Sequence, residues 1–313
     1  MVRMLLAAVA LTGCVGPAAG LRRTPEGDGP LVKIDWDALP LPEIPFPNDL
    51  ATRPDPTSPT GLRLNISKEA STDKEVEARQ KLDELIGFGI FASISVAFEA
   101  PLDLDEIRAR HPGDLHRKDR FDDDALYVID VDPASPHYLE PVDLDVGNGH
   151  YPVDIETVGN YFENDTRAAD PTLLFESTEE DLNGNGALDW GEDTDNDGLL
   201  DHPNVWPEGG DPRDDLITFY ERQTDTLIVR PVVPMREMGR YAVVLTERLV
   251  GEDGAPVRSP WEYVNHVRQT DALTPVLDAL PKWGLSVDDV AYAWVFTTGN
   301  PTGALVDLRR GLV

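Results

Sequence analysis

The sequence predicts a mainly β protein: an antiparallel β-sandwich with one acidic insertion and a few short helices, mostly toward the C terminus. Short runs rich in β-branched and aromatic residues recur at 94–98, 125–131, 227–233 and 241–245, closed by Pro, Asp or Gly, as strands are. Turn signals stand between such runs: Asn148-Gly149 separates PVDLDV from YPVDIETV, and Glu252-Asp253-Gly254 follows 241–245. Near the start, Pro40, Pro42, Pro45 and Pro47 space an extended segment, because proline lacks the N–H that a helix interior or a central strand requires.

The first residues read as an export signal. Arg3 gives a basic start, MLLAAVAL an apolar run, and Leu11-Thr12-Gly13-Cys14 follows. Leu-x-Gly-Cys at this distance resembles the bacterial lipobox, which implies a lipoprotein signal peptide at 1–13 and a lipidated Cys14, a palmitate-type anchor, as the first mature residue. The alternative is an ordinary secretory signal with a chance cysteine. The apolar run is too short to span a bilayer, so lipid alone would hold the chain to the membrane. With the only cysteine used, no thiol remains for a disulfide, a nucleophile or zinc. Val15 after the cysteine, by resemblance to enterobacterial sorting, implies the outer membrane. Residues 14–33 are rich in Gly, Pro, Ala and charge, and their expected role is a flexible tether.

Folded structure is then expected from Ile34, with a β domain over 34–257. Residues 72–85 carry Val76, Ala78, Leu82 and Leu85 at roughly helical spacing. The final stretch, 258–313, is expected to be a helix-rich segment of its own. Helical spacing at 261–268 and 271–280, a cap-like Ser286 before 287–290, one strand at 291–298 and a helix starting at 305–312 make it up.

The strongest chemical signal lies inside the β pattern, at 179–204, EEDLNGNGALDWGEDTDNDGLLDHPN. Asp181, Asn183, Asn185, Gly186, Asp189 and Glu192 fill positions 1, 3, 5, 6, 9 and 12 of an EF-hand-like calcium loop, with the carbonyl of Ala187 at position 7. Asp193, Asp195, Asp197, Gly198 and Asp201 repeat positions 1, 3, 5, 6 and 9, with the Leu199 carbonyl at 7 and Asn204 at 12. A hard cation of this size takes oxygens, and alternate short acidic side chains on a tightly curling backbone point inward to supply them. Gly186 and Gly198 permit the sharp turn, and Leu188 and Leu200 are placed to anchor each loop in a core. A solvated acidic loop is the alternative, but two passes in register favour metal. The second pass resembles the Asp-rich repeats of thrombospondin type 3, and Trp190 and Gly191 stand where an EF-hand starts its exit helix, which argues against a helix-loop-helix frame.

Several stretches together carry a wider resemblance. IPFPND at 44–49, LRLNI at 62–66, Ile86-Gly87-Phe88 with ISVAFEAPLD, TLIVRPVVPMREMGRYAVVLTERLVGEDGAPV and AYAWVFTT resemble the amino-terminal region of bacterial virulence-factor lipases and of large myxobacterial lipoproteins. They also resemble bacterial Ig-like domains, which implies an Ig-like sandwich with the calcium segment inserted between two strands. In such relatives an α/β-hydrolase domain would start near the end of this chain.

Charge and missing motifs limit the function. A net charge of -31, from 58 acids against 27 bases, argues against nucleic acid and anionic membrane surfaces as partners. Residues 175–215 hold 14 acids and the single base Arg213, so bound calcium would neutralise part of the excess. No G-x-S-x-G, H-E-x-x-H, G-x-G-x-x-G or P-loop pattern occurs. His111 and His116 flank a charged stretch with Arg110, Arg117 and Lys118, which reads as a solvated face. The expected function is an exported, lipid-anchored calcium-binding surface protein with a structural or interaction role. The competing expectation is the non-catalytic accessory region of a secreted lipase- or esterase-like hydrolase.

Overall fold

In chain order the elements are β1 (Thr52–Pro54), β2 (Leu62–Leu64), α1 (Asp73–Leu82), β3 (Ile94–Ala97), α2 (Leu104–Arg110), β4 (Leu126–Asp130), β5 (Leu144–Asp145), α3 (Pro212–Asp215), β6 (Tyr220–Glu221), β7 (Thr226–Pro231), β8 (Arg240–Thr246), α4 (Thr270–Leu273), α5 (Val276–Ala279), β9 (Val290–Thr297) and α6 (Gly303–Gly311). The computed structural model describes residues 19–39, 41–111, 121–146, 175–194 and 198–311. The expected signal at 1–13, Cys14, His116, the Asn148-Gly149 turn, His150, Asp195 and Asp197 lie outside the described residues. Among the described residues the protein is built mainly of strands in antiparallel sheets, with a few short helices. No described helix is long and apolar enough to cross a membrane.

Two sheets form the body. In the first, β7 pairs β3 on one side, and β5 and β6 on the other. In the second, β8 lies between β4 and β9, antiparallel to both. Strand alternation then decides what each face meets. Leu126 and Val128 of β4, Tyr241 and Val243 of β8, and Tyr292, Trp294 and Phe296 of β9 share one core with Ile94 and Val96 of β3 and Leu227 and Val229 of β7. The intervening Tyr127, Ile129, Ala242, Val244, Ala293 and Val295 point the other way, onto Leu273, Val276, Ala279, Leu280 and Trp283. Every residue of β9 is therefore buried.

This arrangement corrects the expected boundary at residue 257. The C-terminal stretch is no separate segment, since β9 pairs with β8 along its length and α4 and α5 cover the second face of the same sheet. The expected helix over 261–268 is reduced to a 3-10 turn at Val267–Gln269. Ahead of that turn, the Val264 N–H donates to Arg22 O and the Ala293 N–H donates to Val264 O. Pairing on both sides overrides helical spacing in so short an apolar run.

The tether expectation changes as well. From Arg22 onward the chain is docked in extended form. The Val32 N–H donates to Arg258 O, the Arg258 N–H to Pro30 O and the Lys33 N–H to Ala97 O, while the Val32 side chain is fully buried. Arg22 pairs with Glu247 and donates to Val290 O. Glycine and proline here suit a strand-like strap lying across two sheets.

Helix α1 forms where expected but for a different reason. Thr72 caps it by accepting from the Glu75 N–H, and Glu75–Arg79, Lys74–Glu77 and Glu77–Lys81 pairs run along it. Its one buried residue is Arg79, which donates to Ser67 O; Leu82 is exposed.

Candidate metal centre

Among the described residues, the acidic stretch 179–204 falls in chain order between β5 and β6. Within residues 181–192 the backbone curls at Gly184 and Gly186, with φ of +71 and +72, the left-handed region that glycine enters without penalty. That curl turns N–H groups onto the first carboxylate. Asp181 accepts from the Asn185 N–H at 2.9 Å and the Gly186 N–H at 2.7 Å. The Gly186 N–H, helped by that of Asn185, holds the Asp181 carboxyl below the usual carboxylate range.

A connected set of bonds joins the other expected positions. The Asn183 amide donates to Asp189 at 2.9 Å and to Glu192 at 3.1 Å, and the Asn185 amide donates to Asp189 at 2.8 Å. Glu192, nearly buried, accepts the Asp189 N–H through its other oxygen at 2.9 Å. Asn185 accepts the Ala187 N–H at 2.8 Å. Asp181, Asn183, Asn185, Ala187, Asp189 and Glu192 are thus brought together by one short segment.

The donor set suits a hard cation. Half a turn of each asparagine amide exchanges nitrogen for oxygen at the same place, giving carbonyl oxygens between the carboxylates. Among the described residues no three His, Cys, Asp or Glu side chains form a metal-holding group by themselves; here the carboxylates alternate with asparagines.

The second pass is used differently. Gly198 turns with φ of +81, and Leu199 is exposed. Asp193 is partly buried. Asp201 is buried, and its carboxylate accepts from the Gln223 amide at 3.0 Å. Asn204, expected as the position-12 ligand, is a backbone clamp: its amide donates to Ile217 O at 2.9 Å and Tyr220 O at 2.8 Å, and its oxygen accepts the Arg222 N–H at 3.0 Å. Leu188 and Leu200 are only half buried, so polar contacts rather than apolar anchors seat the insertion.

Sequence reasoning missed the residues that do the seating. Glu180, among the most buried of the described acids at 1 % exposure, accepts from the N–H and hydroxyl of Thr194 and from the Asp201 N–H. Nothing in its spacing separates it from its neighbour Glu179, which pairs with His202 on the surface. Beside the insertion an open cleft of about 630 Å³ is lined in part by Glu179, His202, Glu221 and Arg222. Burial pushes the Glu221 carboxyl up, and the charges of Asp201 and Glu176 add to the rise.

His111 is also unlike its expectation as part of a solvated face. It is buried, its Nε2 accepts the Ala125 N–H at 3.2 Å, and its Nδ1 lies 3.8 Å from Asp124. Occupied on that side by a backbone donor, the ring ties the end of α2 to the start of β4.

Compared with known proteins, the chain matches no protein-family model, no curated protein and no solved structure.

Proposed function

We propose that this is an exported calcium-binding protein, held at the bacterial outer membrane by lipid on Cys14, with a structural or interaction role. Its body is an Ig-like β-sandwich, and the segment 179–204 is the calcium-binding insertion. The observation that carries the reading is the convergence of Asp181, Asn183, Asn185, Asp189 and Glu192 through the hydrogen bonds of one glycine-turned loop. Such a set of short oxygen-bearing side chains at alternate positions is what calcium coordination needs.

Calcium in this role supplies charge and closure rather than a reaction. Residues 175–215 carry far more acid than base, and like charges held together in one loop repel. A divalent ion among them lowers that repulsion and couples binding to the folding of the insertion.

The test is calorimetric titration of calcium onto the chelated protein, paired with thermal melts. At a free calcium concentration a hundredfold above Kd, the folded state gains about 2.7 kcal/mol and the melting temperature rises. Absence of both heat and thermal shift would sink the reading. Export and anchoring are checked separately, by radiolabelled palmitate incorporation in a bacterial host and its loss in Cys14→Ser.

A further inference from the structure

Two ends of the candidate loop meet on one buried side chain. Glu180 immediately precedes Asp181, the first residue of the loop, and Thr194 follows the last, Glu192, by two positions. The Glu180 carboxylate accepts both the N–H and the hydroxyl of Thr194, the latter at 2.8 Å. Its other oxygen accepts the Asp201 N–H at 3.2 Å, and the Glu180 N–H donates in return to Asp201 O at 3.1 Å. Glu180 therefore holds the neck of the loop shut and ties it to residue 201.

In a helix-flanked calcium loop, two helices hold the ends together. No described helix adjoins residues 181–192 on the C-terminal side; the next is the single turn α3, twenty residues on from Glu192. We infer that Glu180 is a positioning residue of the calcium site, doing with a buried carboxylate what flanking helices do elsewhere and setting the affinity without touching the ion. This rests on the calcium reading above. The physical ground is preorganisation: a loop whose ends are already closed loses less freedom when its oxygens are gathered around a cation. Groups that orient ligands in this way typically govern metal affinity by about 10- to 100-fold.

The experiment titrates calcium, and terbium as a luminescent stand-in, onto the full chain after chelation, for wild type, Glu180→Ala, Thr194→Val and Glu192→Gln. For Glu180→Ala the expected result is a roughly 10- to 100-fold weaker affinity with an unchanged terbium luminescence lifetime at saturation, because that lifetime counts water on the ion. Thr194→Val removes only the hydroxyl and gives a smaller loss in the same direction, which keeps the test alive if Glu180→Ala folds poorly. Glu192→Gln changes affinity and lifetime together. Wild-type binding that the Glu180 and Thr194 variants leave untouched overturns the positioning role alone, as does an altered lifetime in Glu180→Ala, which would make Glu180 a ligand. Wild-type protein that takes up neither ion overturns the calcium reading and this role with it.

Discussion

The carboxylate of Asp49 accepts both the backbone N–H of Thr297, at 2.8 Å, and its hydroxyl, at 2.7 Å. This pair of bonds joins stretches 248 residues apart, the proline-spaced IPFPND and the strand AYAWVFTT. Around it, the Trp294 indole donates to Pro47 O at 2.8 Å, and the Gln269 amide donates to Asn48 at 3.0 Å. Phe46 adds an antiparallel bridge to Ser95 in the other sheet. The segment is consequently a seam, closing the open end of β9 against β3.

Asp49 makes that seam sensitive to pH. Burial pushes its carboxyl up to about 6, against the lowering effects of Thr297 and Arg240. The native state then holds a proton that the unfolded state has released between about pH 4 and 6. The contribution of Asp49 is fully present below the unfolded value and is lost as pH rises through 6, by about 3 kcal/mol. Asp49→Asn removes the titration. Urea denaturation across pH 4 to 7 should show the gap between variant and wild type widening in the variant's favour as pH rises; parallel profiles would refute the assignment.

Asn204→Asp separates a clamp from a ligand. A position-12 ligand tolerates a carboxylate, whereas the clamp needs two N–H donors for Ile217 O and Tyr220 O and an aspartate has none. The expected outcome is a loss of about 2–4 kcal/mol of folding stability, read by chemical denaturation, without a gain in calcium affinity.

Glu192→Gln tests the loop itself. Losing one formal charge and the bidentate carboxylate should weaken calcium binding on the order of tenfold or more, with the melting temperature in chelator close to wild type. Equal affinities would remove Glu192 from the donor set.

Val32→Ala tests the docked strap. Val32 is fully buried in the larger core, so deleting two methyl groups should cost about 2 kcal/mol, seen as a lower urea midpoint. A change within error would restore the flexible tether for residues 14–33.

Strands β3, β4, β7, β8 and β9 were legible in the sequence because β-branched and aromatic runs between turn residues have few other uses. Glycines 186 and 198 announced positive φ for the same local reason, and Ser286 its capping box before Val287. The insertion's place between strands followed from its break in that pattern. By contrast, Glu180, Gln223 and Asn204 carry no local mark. Asn204 in particular fits a repeat spacing that its three distant backbone partners override.

The sequence alone thus determined the positions of β3, β4, β7, β8 and β9, the glycine turns at 186, 198 and 254 and the succession of oxygen-bearing side chains at 181–192, all of which are settled by neighbours within a few residues. Tertiary structure decided that residues 22–33 are a strap, that 258–297 completes and covers the second sheet, and that Asp49 meets Thr297. Those outcomes depend on which faces and N–H groups remain unsatisfied elsewhere in the fold, and pairing across more than two hundred residues leaves no periodicity in the chain to read.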